Sequence, residues 1–216
     1  MTFALSWSGG KDSTLALDRA HRQGLHVQYL FNIYDGASGR VRFHGVRKEM
    51  IAAQAESLGL ELVQRATAAD DFESVFLAVL DELTQRGANG VIFGNIHLTD
   101  VRGWYEERTT AKGFQHVEPL WGERPADLIL EFVERGYRGV VVSIDLEQAE
   151  TRWLGREIDD ELIGEILVRP GLDPCGEQGE FHSFVYDGPL FRTPLAVERG
   201  AAIELEGHRL LDLVKP

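Results

Sequence analysis

The chain of 216 residues is long enough for one well-buried domain, or for a main domain with a small appendage. Hydrophobic residues make up 44% and charged residues 26%, as in ordinary globular proteins, and no stretch is long and apolar enough for a membrane helix. The net charge of −13 argues against broad contact with nucleic acid, and a single cysteine excludes a disulfide and a zinc site built on several thiolates. Residues 1–7 lack the basic region of a signal peptide, so we expect a cytoplasmic protein.

The first dense group of polar residues follows the apolar run Phe3 to Leu5 and reads Ser8-Gly9-Gly10-Lys11-Asp12-Ser13. A strand, a glycine-rich loop and a helix in this order predict a phosphate site, because the glycines allow close approach and the helix start presents free N–H groups. Lys11 adds a mobile cation, and the two serines add hydroxyl donors. Asp12 beside an anion indicates that a divalent metal accompanies the phosphate. The alternative is a turn that only caps the helix.

Strands and helices alternate through the rest of the first two thirds of the chain. Runs of β-forming residues and apolar residues at helical spacing define them. The predicted elements are strands at 3–5, 27–33, 61–65, 91–93 and 139–143, and helices at 13–23, 46–58, from 71, 100–112 and 125–134. This order predicts an α/β fold with a doubly wound, mostly parallel sheet. Ligands bind beyond the carboxyl ends of such strands, which places Gly94 and Asn95 near the nucleotide, and Asp100 is expected to cap the next helix.

The character of the sequence changes after residue 144. Residues 145–168 look helical and acidic, whereas the chain from Arg169 onward is rich in loops and then strand-like. We therefore expect a main domain at 1–145 and a small C-terminal α+β unit at 146–216.

A second dense group of reactive side chains runs from Asp173 to Phe191 within this C-terminal unit. It brings carboxylates, an imidazole, a phenol, a thiol and glycines into nineteen consecutive positions, counted from 173 to 191. Such a composition is typical of a catalytic or binding segment. It also fits a pair of turns beside an edge strand, with the polar residues simply solvated.

Both groups resemble motifs of one enzyme family. Residues 8–13 depart from the common P-loop, which would need glycine at Leu5 and a hydroxyl at Asp12, and instead resemble the PP-loop of the ATP pyrophosphatases, Ser-Gly-Gly-x-Asp-Ser. Residues 176–182, Gly-Glu-x-Gly-Glu-Phe-His, and the segment from Phe184 to Phe191 resemble the C-terminal signature of the diphthine–ammonia ligase family, which also carries the PP-loop. The resemblance implies a PP-loop fold of the Rossmann-like HUP class.

The resemblance also implies a reaction. ATP, with Mg²⁺, adenylates a carboxylate and releases pyrophosphate, and ammonia then attacks the acyl-adenylate to form an amide. The family's acceptor is diphthine, a modified histidine of a protein, and no glutaminase domain is visible, so free ammonium is the expected nitrogen source. We expect no membrane partner and no nucleic acid, and a homodimer is a general expectation for small doubly wound enzymes.

The resemblance also implies which residues form the site, by assigning the family's site residues to the matching positions of this chain. The expected phosphate and nucleotide contacts are Ser8, Gly9, Gly10, Lys11, Asp12, Ser13, Gly94 and Asn95, with Asp12 as the candidate metal ligand. The expected catalytic residues are Lys11, Glu177, Glu180 and His182, of which the last three would position ammonium and remove its proton. The expected substrate contacts are Asp100, Arg102, Glu106, Gln178, Tyr186 and Asp187. Asn95 and Gln178 stand where the family commonly has aspartate and asparagine, and His182 also fits a hydrogen-bonded strand residue.

Two other functions are consistent with the sequence. PP-loop enzymes also thiolate tRNA through a cysteine persulfide, and Cys175 lies inside the second motif; a single cysteine and an acidic chain argue against this. A domain that only senses an adenine nucleotide would bind ATP without releasing pyrophosphate.

Overall fold

The structure, a computed structural model, describes residues 1–68, 70–205 and 207–216. Strands and helices alternate through its first part, and strands dominate its last part. The elements in chain order are β1 (Thr2–Ser6), α1 (Lys11–Arg22), β2 (His26–Asp35), β3 (Arg40–Val41), α2 (Lys48–Leu58), β4 (Glu61–Thr67), α3 (Phe72–Gln85), β5 (Gly90–Ile92), α4 (Thr99–Ala111), β6 (Gln115–Val117), α5 (Pro125–Glu134), β7 (Arg138–Asp145), a 3₁₀ turn (Thr151–Trp153), α6 (Asp160–Leu167), β8 (Phe181–Asp187), β9 (Glu198–Leu205) and β10 (His208–Val214).

The first sheet has a parallel core in the order β4-β2-β1-β5-β6. The chain builds outward from β1 to β4 on one side and from β5 to β6 on the other, as in a doubly wound fold, so the α/β prediction is confirmed. Short β3 adds an antiparallel pair at Tyr34 and Asp35, the end of β2. The order of the strands reverses between β1 and β5, which is where such sheets bind ligands. The loops that follow these two strands, residues 7–10 and 93–98, therefore share one crevice.

The second sheet is antiparallel and has the order β8-β7-β10-β9. The strand predicted at 139–143 exists as β7, but its expected place in the parallel sheet was wrong, because β7 pairs with β8 and β10. An apolar run bounded by turns cannot specify which of two sheets a strand joins. The change of sheet falls between residues 117 and 138, ahead of the predicted division at 145, and that division into folding units stays a prediction.

Two further expectations about local structure were wrong. Residues 145–168 were expected to be helical, but they contain only the 3₁₀ turn and α6, whose start is capped by the Asp159 carboxylate accepting from the Leu162 amide at 2.9 Å. Asp100 does not cap α4; the cap position is Leu98, and Asp100 lies exposed in the first turn. A carboxylate there still favours the helix through the dipole.

A single large apolar cluster joins the two sheets. It contains Leu5 of β1, Val141 of β7 and Phe184 of β8, each at most 1% exposed. Burial of such side chains contributes roughly 1.5–3 kcal/mol each, so the second sheet is held firmly against the first. None of the helices in the described part of the chain combines the length and apolar character needed to cross a bilayer.

Candidate active site

The PP-loop turns between β1 and α1 at two glycines, each of which has little room for a side chain. Gly9 has φ of +83°, and a Cβ on it would lie 2.6 Å from Oε1 of Gln54. Gly10 stands at the N-cap position of α1, and a Cβ there would lie 2.8 Å from Cε1 of His44. The loop backbone is therefore packed closely on both sides, and the first turn of α1 is left to present its N–H groups.

Hydroxyl groups hold the loop in this shape. Ser13 and Thr14 both donate to the Gly10 carbonyl, at 3.0 and 2.9 Å. Ser8 Oγ accepts from the Gly10 amide at 3.3 Å and lies 3.3 Å from Ser13 Oγ. These side chains preorganise the loop before any phosphate arrives, which lowers the entropic cost of binding.

Gln54 of α2 also contributes to the site, although it was not predicted from the sequence. Its Nε2 donates to the carbonyls of Gly9 (2.9 Å) and Val185 (2.6 Å), and its Oε1 accepts from the Trp7 indole at 2.8 Å. The Val185 amide also donates to the Gly9 carbonyl at 2.9 Å. A fully buried amide with every contact satisfied fixes the PP-loop against β8. A polar residue on the otherwise apolar face of α2 was the available signal.

Lys11 joins the two motifs. Its backbone N–H donates to Ser183 Oγ at 3.1 Å, and its ammonium donates to the carbonyl of Cys175 and to Asp12 Oδ2, the latter at 3.1 Å. The ammonium also lies 5.0 Å from the centre of the Phe181 ring. Burial disfavours the charge, but the charge and hydrogen bond of Asp12, together with Cys175 and Asp173, outweigh this effect and raise the pKa of Lys11. The lysine is thus a fixed, fully charged cation at the start of α1.

Asp12 is positioned to balance this cation. Burial raises the pKa of Asp12, an effect that the charge of Lys11 only partly offsets. The backbone of Asp12 touches the next loop of the crevice, since a Cβ on Gly94 would lie 3.0 Å from the Asp12 carbonyl. Gly94 is therefore required for close approach of the loops after β1 and β5. Its contact with a nucleotide stays a prediction.

The segment 173–180 folds around the carboxylate of Glu180, which is 2% exposed. One oxygen accepts from the Asp173 amide at 2.9 Å and the other from the Gln178 amide at 3.1 Å. The Gln178 side chain itself is exposed. Glu180 therefore has a visible structural role as the anchor of this loop, in addition to the catalytic role predicted for it.

His97 and two carboxylates form the densest titratable cluster of the crevice. The His97 imidazole contacts Asp173 Oδ2 directly and lies 3.2 Å from Glu177 Oε2. Glu177 also accepts from the amides of Ile96 (2.6 Å) and His97 (2.9 Å), so it ties the second motif to the loop after β5. Asp173 is the first residue of the second dense group, but neither it nor His97 was predicted to be a site residue, because only folding brings the two side chains together.

Charge and burial set the state of this cluster. Burial disfavours the His97 imidazolium, but the hydrogen bond to Asp173 and the charge of Glu177 outweigh it and raise the pKa of His97. Burial raises the pKa of Glu177, against the two amide hydrogen bonds. One donor atom from each of the three residues lies within 4.8 Å of the others, so the cluster has the donor spacing of a metal site. Carboxylate oxygens suit Mg²⁺, whereas the imidazole suits transition metals better.

Asn95 contacts a second buried polar cluster, which lies behind the crevice. Its amide donates to Glu118 Oε1 at 2.7 Å, and His116 Nε2 lies 3.0 Å from the same oxygen. Arg102 Nε lies 3.3 Å from Glu118 Oε2 and 3.5 Å from Glu106 Oε2. The Arg102 guanidinium also packs over the Trp121 ring, 4.5 Å from its centre. Glu118 is 2% exposed in its side chain and was not predicted. The expected substrate residues Arg102 and Glu106 are thus brought together around it.

The remaining predicted substrate residues contact other parts of the second unit. The Tyr186 hydroxyl donates to Glu157 at 2.7 Å, and burial raises the pKa of Tyr186 to about 12. Asp187 accepts from the Gly188 amide at 2.8 Å and lies 4.0 Å from Arg138. These contacts stabilise the end of β8, and the substrate role of the two residues stays a prediction.

His182 of β8 packs against His44, with ring centres 4.5 Å apart and the ring planes tilted by 34°. Its Nε2 is buried and has no hydrogen-bond partner among the residues that the structure describes. Burial lowers the pKa of His182 well below its usual range, so the ring is neutral. A neutral, enclosed imidazole is a poor proton acceptor for ammonium, and its predicted catalytic role stays a prediction.

Cys175 is enclosed at 1% exposure, and its thiol donates to the Pro125 carbonyl at 3.2 Å. Burial and the nearby carboxylates raise the pKa of the thiol well above its usual range. The thiolate is the reactive form of cysteine, so this environment opposes persulfide chemistry. The visible role of Cys175 is to offer its carbonyl to Lys11.

Comparison with known proteins identifies the family of the chain. Residues 1–116 match the diphthamide synthase N-terminal domain and residues 124–212 match the diphthamide synthase C-terminal domain. The chain belongs to the diphthamide synthase family. This confirms the family predicted from the two motifs, and it identifies the chain as an enzyme of a carbon–nitrogen ligase family.

Curated relatives of this family member are named diphthine–ammonia ligase. The mouse protein is 23% identical over 228 residues, covering 94% of this chain and 85% of its own length. The zebrafish protein is 24% identical, covering 88% and 84%. The fission yeast protein is 25% identical and covers 91% of this chain, but the match spans only 36% of that longer protein. A solved structure described as a predicted subunit of tRNA methyltransferase from Methanocaldococcus jannaschii aligns over 86% of this chain and 96% of its own, with TM-score 0.48 and 19% identity.

Proposed function

We propose that this diphthamide synthase family member is an ATP-dependent amidoligase that adenylates a carboxylate, releases pyrophosphate and transfers ammonia to the activated acyl group. The observation that carries the proposal is the meeting of the two motifs at Lys11, which contacts Ser183 and Cys175 of the second motif through its amide and its ammonium. The PP-loop and a cluster of carboxylates thereby lie in one crevice, which supports a phosphate site beside the second motif.

The PP-loop supplies the charge stabilisation that α–β cleavage requires. Negative charge grows on the pyrophosphate as it leaves, and the fixed cation of Lys11 and the amino end of α1 are both in place before the reaction. Mg²⁺, when bound, would neutralise part of the same charge. Asp173 and Glu177 offer the oxygen donors that such an ion prefers, at the spacing of a metal site with His97, and the charge of Asp173 also acts on Asp12 of the PP-loop. These contacts support a metal beside the loop.

The carboxylates of the second motif are proposed to serve the nitrogen donor. Glu177 faces His97 and the loop after β5, so it lies at the carboxyl edge of the parallel sheet where the adenylate would form. An anionic edge attracts ammonium from solution. Diphthine is the acceptor named for the curated relatives and is our first candidate here.

The test supplies ATP, Mg²⁺ and ¹⁵N-ammonium together with a protein that carries diphthine. We expect ATP-dependent ¹⁵N in the acceptor amide, found by mass spectrometry, and none with Lys11→Ala. Transfer of ¹⁵N without ATP, or ATP binding with no turnover on this acceptor and on a panel of other carboxylates, would contradict the proposal; the second result would favour a nucleotide sensor.

A further inference from the structure

The turn between β3 and α2 brings an imidazole to the PP-loop that neither motif contains. Cε1 of His44 lies 2.8 Å from the position of a Cβ on Gly10, so the ring fills the space beside the last residue before α1. The turn is tightly closed: the His44 amide donates to Arg42 at 2.8 Å and the Gly45 amide donates to Val41 at 2.9 Å. Phe43 has φ of +66°, the one positive value at a non-glycine position in the described ranges. Strain of this kind persists where surrounding contacts enforce it.

The tautomer of His44 follows from one contact. Nδ1 lies 3.2 Å from the main-chain oxygen of Ser183, and a carbonyl oxygen can only accept a hydrogen bond. Nδ1 therefore carries the hydrogen, and Nε2 of the neutral ring has a free lone pair. Nε2 has no hydrogen-bond partner in the part of the chain that the structure describes, and it is not one of the fully enclosed polar atoms.

Its surroundings keep the ring neutral. Burial lowers the pKa of His44 to about 4, the charge of Lys11 acts in the same direction, and only the Ser183 contact opposes them. The neighbouring His182 ring, 4.5 Å away between centres, is also neutral. The lone pair on Nε2 is therefore present at neutral pH, close enough to Lys11 to experience its field.

The free lone pair on Nε2 can bind only a group that donates a hydrogen bond. The α- and β-phosphate oxygens of ATP carry no hydrogen at neutral pH and cannot donate to it, whereas an N–H group can. We propose that His44 binds the attacking ammonia, accepting a hydrogen bond at Nε2 and directing the nitrogen toward the acyl-adenylate. The nearby Lys11 cation disfavours ammonium and so favours the neutral nucleophile. This inference rests on the proposed amide-forming function and names a further substrate-contacting residue for it.

The first experiment is a binding measurement that does not need turnover. Protein labelled with ¹⁵N-histidine is observed by long-range ¹H–¹⁵N NMR, with the His44 signals assigned by comparison with His44→Gln. We expect an unprotonated Nε2 in the free protein. In the complex with α,β-methylene-ATP, ammonium chloride should shift this signal, and tetramethylammonium chloride, which has no N–H, should leave it in place. A shift already complete on addition of the ATP analogue alone would assign the lone pair to the adenine amino group and overturn the proposal, as would no response to ammonium.

The second experiment separates this residue from its neighbours by kinetics. In the ¹⁵N-ammonium assay, His44→Ala should raise KM for ammonium about tenfold, the loss of one hydrogen bond, with KM for ATP unchanged. His44→Gln retains an acceptor oxygen and should restore most of the ammonium affinity. His26→Ala, an exposed histidine at the amino end of β2, is the matched control. A raised KM for ATP, or an unchanged KM for ammonium, would contradict the role of His44. Absence of turnover in the wild type would instead contradict the proposed function. In that case the NMR titration still tests whether His44 binds ammonia.

Discussion

The ammonium of Lys11 donates a hydrogen bond to the main-chain carbonyl of Cys175, which joins the two motifs across 164 residues of sequence. The same ammonium contacts Asp12 and packs over Phe181. Because one side chain contacts both motifs, we expect a phosphate that binds at the PP-loop to change the contacts of the loop at 173–180 as well.

Replacement of Lys11 tests the phosphate site. Lys11→Ala removes a charged donor whose hydrogen bonds are worth about 1.5–3 kcal/mol, so the affinity for α,β-methylene-ATP should fall about tenfold to a hundredfold. Titration calorimetry measures this. Lys112→Ala is the control, because Lys112 pairs with Asp81 at the surface. Equal affinities of the Lys11 and Lys112 variants would show that the PP-loop does not hold the phosphates.

Replacement of Glu180 tests the second motif. Glu180→Ala leaves the amides of Asp173 and Gln178 without their acceptor and should lower the free energy of unfolding by about 1–3 kcal/mol. ATP binding should persist while amide formation stops, since the loop that carries Glu177 loses its anchor. Glu180→Gln keeps one acceptor oxygen and should lose less stability. Unchanged amide formation in Glu180→Ala would show that this loop is not part of the reaction site.

Cysteine replacement separates amide formation from thiolation. Cys175→Ser preserves a donor toward the Pro125 carbonyl and leaves the main-chain contact with Lys11 in place, so amide formation should be retained. Labelling of the wild-type thiol by iodoacetamide should be slow, because the reactive thiolate is disfavoured by burial. Loss of all turnover in Cys175→Ser, together with a persulfide on the wild-type protein, would favour the thiolation chemistry instead.

The ion pair of His97 predicts a pH dependence of stability. Its folded pKa is raised above the ordinary value of 6.5, so its contribution is fully present below pH 6.5 and is lost as the pH rises through the folded pKa. His44 and His182 have lowered pKa values and act in the opposite sense, losing their contribution as the pH falls below 6.5.

The comparison of wild type with His97→Gln isolates the first effect. The difference between their melting temperatures should be largest near pH 6 and shrink toward pH 9, measured by calorimetry. His26→Gln, at an exposed position, should show no such trend. A difference that grows with pH would show that His97 is not held as a cation by Asp173 and Glu177.

The parallel sheet and the PP-loop were predictable because they rest on local signals. Periodicity defines the elements, and the loop from Ser8 to Ser13 follows a strand and opens a helix in sequence as it does in the structure. The sheet membership of β7 was not predictable, since an apolar strand fits a parallel or an antiparallel neighbour equally well. The sheet that β7 joins is determined by its tertiary contacts with β8 and β10.

The site was predictable only where its residues lie in the motifs. His44, Gln54 and Glu118 lie outside both motifs and reach the crevice or its rear through folding. Asp173 and His97 lie beside predicted residues, but the contact between them is made only in the folded chain. Glu118 is the clearest case, because a lone glutamate before a proline reads as a surface residue. Only the folded structure shows that its side chain is buried against Asn95, His116 and Arg102.

The most direct test of α–β cleavage is ³¹P NMR of ATP incubated with the protein, Mg²⁺, ammonium and a diphthine-bearing acceptor. The PP-loop account predicts that AMP and pyrophosphate appear together, in equal amounts, and that their formation needs the acceptor and disappears in Lys11→Ala. Appearance of ADP and inorganic phosphate as the products would contradict it.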